Sequence, residues 1–276
     1  MNTWALLVVA ACSANQARAQ LENANEAVAQ CVFAGTAKRI AVTLHNPGEQ
    51  IFQADIRARI FQASSATVVQ ICEVPWKKLS VLPGQTVLES AQLDFPAVKE
   101  KTKFLIQYIE NTNYVIAKTE VLAFPTNLLS ELKPLLGEDT LGVLDPNDEL
   151  KPLLRQNGVA FVDLGQTTME DFSGRLAILG PFRSQAQLPE DVAKRTQTMA
   201  KNGAAVLWLQ PPPVPRDPLR PSYYSVCVGT NAIVIVQFDV VAGLADNPQS
   251  QLNLIYCCKL ALNPQPPALP DLSPQP

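Results

Sequence analysis

Residue types that perform nucleophilic or metal-assisted chemistry are scarce in this chain. It carries one histidine, His45, and six cysteines: Cys12, Cys31, Cys72, Cys227, Cys257 and Cys258. No CxxC and no Cys/His pairing occurs, and His45 falls in the turn His45-Asn46-Pro47-Gly48. The four-ligand set of a zinc site is therefore not offered, and no metal or other cofactor is expected. Polar groups at the ends of apolar runs remain: Asp145 closes "LGVLD", Asp163 closes "VAFVD", Gln210 follows "AVLWL", and Asp239 follows "AIVIVQF". Two carboxylates about 5 to 10 Å apart would suit glycosidic cleavage, but nothing in the spacing brings two of these acids to that distance. The same residues serve equally to cap helices and to solvate the starts of loops. Asp145, Asp163, Gln210 and Asp239 are the expected ligand-binding set, with no catalytic residue assigned.

The elements around these residues alternate in type. Residues 141–144, 159–164, 175–179, 204–209 and 232–238 are short apolar runs without alternation, the pattern of strands buried on both faces. Residues 148–156, 189–201 and 248–262 have helical period, the first two stopped by Asn157-Gly158 and Asn202-Gly203. The last begins with Asn247-Pro248, an Asx residue followed by proline at the first helical position. Alternating strand and helix implies a doubly wound α/β domain with a parallel sheet, whose C-terminal edge is where such sheets bind ligands.

Residues 28–125 read as an all-β domain. "KRIAVTL" puts Ile40, Val42 and Leu44 on one face, and "FQADIRARIF" puts Phe52, Ala54, Ile56, Ala58 and Ile60 on one face with Gln53, Asp55, Arg57 and Arg59 toward water. Strands follow over 68–74, 86–93, 104–110 and 114–124, and "WKKLSVLPGQ" leads through Leu79 and Val81 into a Pro-Gly turn. This spacing suits a β-sandwich. Residues 126–140 read as a linker or short helix, with Leu128, Leu129, Leu132 and Leu135 packing between domains.

Two resemblances follow from these stretches. "LHNPGEQ", "VLPGQT" and "YVIAKTEV" resemble the immunoglobulin-like sandwich appended to extracellular glycoside hydrolases. "RLAILGPF", "MAKNGAAVLWLQ" and "AIVIVQFDVVAGLADNPQSQLNLIYCCKLAL" resemble the class I glutamine amidotransferase-like domain, which is flavodoxin-like; the resemblance covers about residues 138–262, and the domain is bounded at 141–262. An active member of that family needs a cysteine on a strained strand-to-helix elbow beside a histidine. The elbows here, Leu144-Asp145-Pro146, Leu179-Gly180-Pro181 and Leu209-Gln210-Pro211, hold no Cys, Ser or Thr at the strand tip. The resemblance thus implies the fold without its amidotransferase dyad.

The ends of the chain concern its address. Residues 5–14 have the length of a signal-peptide core, short of the roughly 20 apolar residues that span a bilayer. Ala17-Arg18-Ala19 offers a small-x-small cleavage site before Gln20, giving a 1–19 signal peptide and a soluble exported protein, periplasmic or extracellular. Val9-Ala10-Ala11-Cys12 resembles a bacterial lipobox, whose use would tether the protein through Cys12 instead. The formal charge is −3, and nothing in its distribution invites nucleic acid. Five cysteines survive cleavage and read mostly as small apolar core residues. "PPPVPRDPLRP", residues 211–221, reads as a rim, a docking strip or a connector, and "NPQPPALPDLSPQP", residues 263–276, as a low-complexity tail or a partner motif. Three functions are open: an exported, non-catalytic binding or scaffolding protein with a glycan or protein partner; a sugar hydrolase with carboxylates at the sheet edge; and an envelope interaction protein.

Overall fold

The computed structural model describes residues 21–24, 29–110, 113–209, 223–229 and 231–263. Residues 1–19, read above as a signal peptide with Cys12 among them, Gln210, the 211–221 run and residues 264–276 lie outside them. The chain forms two compact units: Met1–Gln30, Ala37–Asp94 and Thr102–Leu122 make the first, and Cys31–Thr36, Phe95–Lys101 and Ala123–Pro276 the second. Two short segments from the strand-rich part of the sequence thus belong to the second unit.

The strand-rich part of the sequence forms two sheets, most of whose residues belong to the first unit. β1 (Glu22–Asn23), β3 (Ala37–His45) and β6 (Thr86–Asp94) form one, in the order β1-β3-β6. The other runs β2 (Gln30–Phe33), β8 (Val115–Phe124), β7 (Thr102–Glu110), β4 (Phe52–Ala63) and β5 (Val68–Val81). The pairings β3–β6, β4–β5 and β4–β7 are antiparallel. Alternation has the expected result on β3 and β4, where Ile40, Val42, Leu44, Phe52, Ile56, Ala58 and Ile60 are all buried. The two segments read separately as 68–74 and 76–85 are a single strand, β5, with irregular register against β4 between Ile56 and Arg57 and between Ile60 and Phe61. Pro75 is tolerated because β5 is an edge strand, where a missing N–H breaks no ladder bond.

Three corrections concern side chains of this unit. His45 is the last residue of β3, not part of the turn, and its Nδ1 lies 2.9 Å from Thr86 Oγ1 on the paired strand. The turn begins at Asn46, which is fully buried yet satisfied: Nδ2 donates to the Gln50 and Val81 carbonyls, and Oδ1 accepts from Gly48 N–H at 3.1 Å. Arg57 and Arg59 do not simply face water. Glu73 of β5 pairs with both, at 2.8 Å from Arg59 Nε, and Asn113 Oδ1 accepts from both guanidinium groups. The Arg59 hydrogen bond holds the Glu73 carboxyl below the usual carboxylate range.

The second unit is a six-stranded sheet of β9 (Leu141–Leu144), β10 (Phe161–Asp163), β11 (Leu176–Leu179), β12 (Ala205–Leu209), β13 (Tyr223–Val228) and β14 (Asn231–Val236). Their order is β10-β9-β11-β12-β14-β13. Neighbours pair in parallel except β13, an antiparallel edge strand hairpinned onto β14. Among the described residues four helices accompany the sheet: α1 (Leu132–Leu136), α2 (Lys151–Gln156), α3 (Val192–Lys201) and α4 (Pro248–Leu262). Met199 and Ala200 of α3 share a core with Ala177, Leu179, Val206, Trp208, Ile233 and Ile235. The intervening residues Ile178, Leu207, Val234 and Val236 are also buried and point to the opposite face. α4 packs on β14, β12 and β11 and on the 3-10 turn Leu128–Glu131. The 126–140 segment is therefore largely helical, and Leu128, Leu129 and Leu132 are buried within this unit. The cysteines divide: Cys257 and Cys258 are buried, whereas Cys227 is exposed on the edge strand.

Candidate functional site

Among the described residues the C-terminal edge of the parallel strands carries the loops 145–150 after β9, 164–175 after β10, 180–191 after β11 and 237–247 after β14. Apolar strands end there because each polar residue that follows must reach water or a partner. Asp145 finds backbone partners. It is only 2% exposed, and its Oδ2 accepts the N–H groups of Leu150 (2.7 Å) and Lys151 (3.0 Å), while Oδ1 accepts that of Asn147 at 3.3 Å. Those donors open α2, whose flanking residue Leu150 offers no side-chain acceptor. Asp145 is the cap of α2 supplied from upstream.

Asp163 is held by a different group. Its Oδ2 lies 2.8 Å from Lys151 Nζ, and Oδ1 accepts from Gly165 N–H at 2.9 Å. Lys151 is 7% exposed and also reaches Asp148 at 3.3 Å. Desolvation alone would lower the ammonium pKa, but the hydrogen bonds to Asp163 and Asp148 overrule it and the net shift is upward. The same Lys151 bond is the chief cause that pulls Asp163 below its ordinary value.

Asp239, beyond the end of β14, belongs to a third arrangement. Arg183 Nη1 donates to its Oδ2 at 2.5 Å, and Oδ1 accepts from Ala242 N–H at 3.0 Å. The other edge of the same guanidinium grips Glu149 two-pronged, with Nε 2.7 Å from Oε1 and Nη2 against Oε2. Arg183 is thereby pinned between the loops after β9 and β14, and its charged form is favoured first by Glu149 and then by Asp239. Gln187 completes the closure: its Oε1 accepts from Arg183 N–H at 2.6 Å and its Nε2 donates to Asn147 Oδ1 at 2.8 Å, while Asn147 Nδ2 donates to the Pro181 carbonyl at 3.1 Å. The Gly180–Pro181 bond at the head of this loop is cis.

The structure thus places Asp145, Asp163 and Asp239 at one edge of the sheet but gives each its own partner set; Gln210 is outside the described residues. Sequence reasoning missed Arg183, Glu149, Asn147, Gln187 and Lys151. Only Arg183 had a local signal, as a cation two residues beyond the "LGP" elbow. Among the described residues no group of three His, Cys, Asp or Glu side chains is placed to hold a metal ion. Shallow clefts lie instead beside the edge strand β10. One, of 310 Å³, has Thr140, Thr167, Thr168 and Asp171 in its wall, and the other, of 350 Å³, is bordered by Arg155, Phe161, Asp163 and Gln166. No described helix is long and apolar enough to cross a membrane.

No family model and no curated protein matches this chain. Solved structures give partial likenesses. One is an alkylpurine DNA glycosylase of Pseudomonas fluorescens bound to DNA with an abasic-site analogue, at TM-score 0.31 and 10% identity over 39% of this chain and 31% of that one. Another is a mutant β-glucosidase of Listeria innocua in complex with laminaribiose, at TM-score 0.27 and 12% identity over 38% of this chain and 16% of that one. A third is a family GH3 β-glucosidase of Bifidobacterium adolescentis, at TM-score 0.27 and 12% identity over 38% of this chain and 17% of that one. The chain spans less than a third of the length of each, and likeness at this level assigns it no activity.

Proposed function

We propose that the protein is an exported, non-catalytic binding or scaffolding protein, in which an immunoglobulin-like sandwich precedes a doubly wound, flavodoxin-like domain of amidotransferase-like type. The observation that carries the non-catalytic reading is the commitment of the edge carboxylates. Asp145 accepts helix N–H groups, Asp163 is paired to Lys151, and Asp239 is paired to Arg183. A general acid or base needs a proton it can exchange with substrate, and a nucleophile needs an open lone pair. Here each role would first require breaking a contact that holds a loop. The flavodoxin-like reading is supported by the order of the parallel strands, which reverses direction between β9 and β11, and by α3 and α4 packing on the same strands.

The test is a glycan-array screen of the mature protein run beside hydrolysis of aryl glycosides and of glutamine. Saturable glycan or protein binding without turnover is the expected result. Turnover that disappears in Asp239→Asn, with an unaltered circular dichroism spectrum, would instead establish a hydrolase. Export is tested by mass spectrometry of the mature chain: Gln20, free or cyclised, is the expected N-terminus, a lipid-modified Cys12 marks the tethered form, and an intact Met1 in cytoplasmic extract refutes export.

A further inference from the structure

β10 is the edge of its sheet and pairs only with β9 among the described strands. Leu164 N–H donates to the Val143 carbonyl of β9 at 2.9 Å. By the two-residue period of a strand, Val162 then turns its N–H and C=O toward β9, whereas Phe161 and Asp163 turn theirs to the open edge. The Asp163 carbonyl is occupied there, accepting from Gln166 N–H at 3.1 Å and from the Thr167 hydroxyl at 3.3 Å. Phe161 N–H, Phe161 C=O and Asp163 N–H have no hydrogen-bond partner among the described residues. The two clefts beside β10 lie on opposite faces of it, because Val162 lines the 310 Å³ one while Phe161 and Asp163 line the 350 Å³ one. Their charges differ in sign. The first holds the exposed carboxylate of Asp171, which pairs with no described cation, and the second holds Arg155, whose guanidinium lies 5.2 Å from the centre of the Phe161 ring. Asp163 is already paired with Lys151, so Arg155 sets the sign of that cleft.

We propose that β10 takes up an extended peptide of a partner protein as an added parallel strand, with an acidic residue opposite Phe161 and a basic residue immediately after it opposite Val162. This names the partner class of the binding reading above and rests on it. A parallel strand bonds through one residue to the carbonyl before and the N–H after the residue that it faces. Around Val162 those are the free Phe161 carbonyl and the free Asp163 N–H. An antiparallel strand running past both outward residues would need the Asp163 carbonyl as well, which is taken. Paired residues point to the same face of a sheet and successive ones to opposite faces. The basic side chain facing Val162 therefore enters the cleft of Asp171, and the acidic one facing Phe161 meets Arg155. In strand addition the main-chain bonds supply affinity and the pockets for alternate side chains supply specificity. A strand of three residues gives few of the former, so the order of charges in the peptide decides which sequences bind.

The experiment uses the full chain and two fluorophore-labelled, C-terminally amidated peptides, TVEKVT and TVKEVT, titrated by fluorescence anisotropy. TVEKVT should bind saturably and TVKEVT about tenfold more weakly, since the reversal exchanges two attractive charge contacts for repulsive ones. N-methylation of the TVEKVT lysine removes the donor to the Phe161 carbonyl and should weaken binding by about tenfold, more than N-methylation of the glutamate, whose N–H points away from β10. Amide exchange at Asp163 should slow in the complex. In the double variant Asp171→Lys, Arg155→Glu the preference should invert to TVKEVT; both side chains are exposed, so the fold is not at stake. Equal binding of the two peptides by the parent chain, an uninverted preference in the double variant, or no effect of lysine N-methylation overturns the proposal. Failure of TVEKVT to bind at millimolar concentration does so too. Failure of the binding reading itself is a different result, turnover of an aryl glycoside or of glutamine, whatever the peptides do. Glycan binding without peptide binding keeps that reading and overturns only the strand addition.

Discussion

Replacing Asp145 separates a structural carboxylate from a ligand-binding one. In Asp145→Ala the N–H groups of Leu150 and Lys151 lose acceptors at 2.7 and 3.0 Å at a site 2% exposed. Losing a cap costs about 1 to 2 kcal/mol, and leaving a buried donor unsatisfied about 1 to 3 kcal/mol. These overlap, since they describe the same bonds, so the expected loss is about 3 kcal/mol. At roughly 2 to 4 °C per kcal/mol for a unit of this size, Tm falls by about 6 to 12 °C. Asp145→Asn keeps one carbonyl oxygen and should lose about half as much. Thermal denaturation followed by Trp208 fluorescence reports on the second unit once Trp4 and Trp76 are changed to Phe. Amide exchange over residues 150–156 should accelerate while that over β3 and β6 is unchanged. A Tm within one or two degrees of the parent, with exchange in α2 unaltered, would refute the capping role and return Asp145 to the list of groups free for chemistry.

Lys151→Met tests the buried ion pair by pH. Asp163 is depressed in the folded state, so its contribution is present above the unfolded carboxylate value near 4 and is lost as pH falls through the folded one. Lys151 is raised, so its contribution persists below about 10.4 and is lost only at higher pH. The variant should lower Tm at neutral pH and flatten its decline below pH 4; an unchanged acid slope counts against the pair. Gly180→Ala should cost about 2 kcal/mol or more, because Gly180 has φ +105° and a Cβ there would sit 2.6 Å from the Leu209 carbonyl; wild-type Tm in that variant would refute the close approach. Thiol titration at pH 8 should modify Cys227 first, whereas burial pushes Cys257 up to about 11 and Cys258 higher still, so both await unfolding. Prompt reaction of either buried thiol in the folded protein would contradict their burial.

Fold elements were legible wherever one residue's environment followed from its near neighbours. The alternation in "KRIAVTL" and "FQADIRARIF" needs only the two-residue period, and β3 and β4 follow it. Asn247-Pro248 opens α4, with Asn247 Oδ1 accepting from Gln249 N–H at 2.9 Å. What was not legible depends on partners distant in sequence. β5 was read as two pieces because Pro75 looks like a break, and only its place at the sheet edge makes the proline harmless. Leu128, Leu129 and Leu132 were read as an interdomain contact because a leucine-rich turn declares that it is buried, not against what; the partner is α4, more than a hundred residues later.

The site divides along the same line, with a consequence for how carboxylates at a sheet edge are read. Asp145, Asp163 and Asp239 were found because a polar residue closing an apolar strand has few places to go. Whether such a residue is free depends on cations and N–H groups within reach, and these are set by which loops adjoin. Arg183 is 34 residues from Glu149 and 56 from Asp239, and no periodicity connects them. Strand order does: β9 and β14 flank β11 and β12, so the loop after β11 lies between the loops that carry Glu149 and Asp239. One guanidinium reaching both ways offsets two carboxylates that would otherwise repel and stay open to ligand. Its side chain is 41% exposed, so the energy gained is modest, about 1 kcal/mol per pair or less. The geometric effect is larger than the energetic one, because the bidentate grip on Glu149 fixes the guanidinium plane across the edge where a ligand would enter. Arg183→Met should therefore lower stability only slightly while increasing amide exchange in residues 180–191 and 237–247 together; acceleration confined to one of the two loops would show that Arg183 does not couple them.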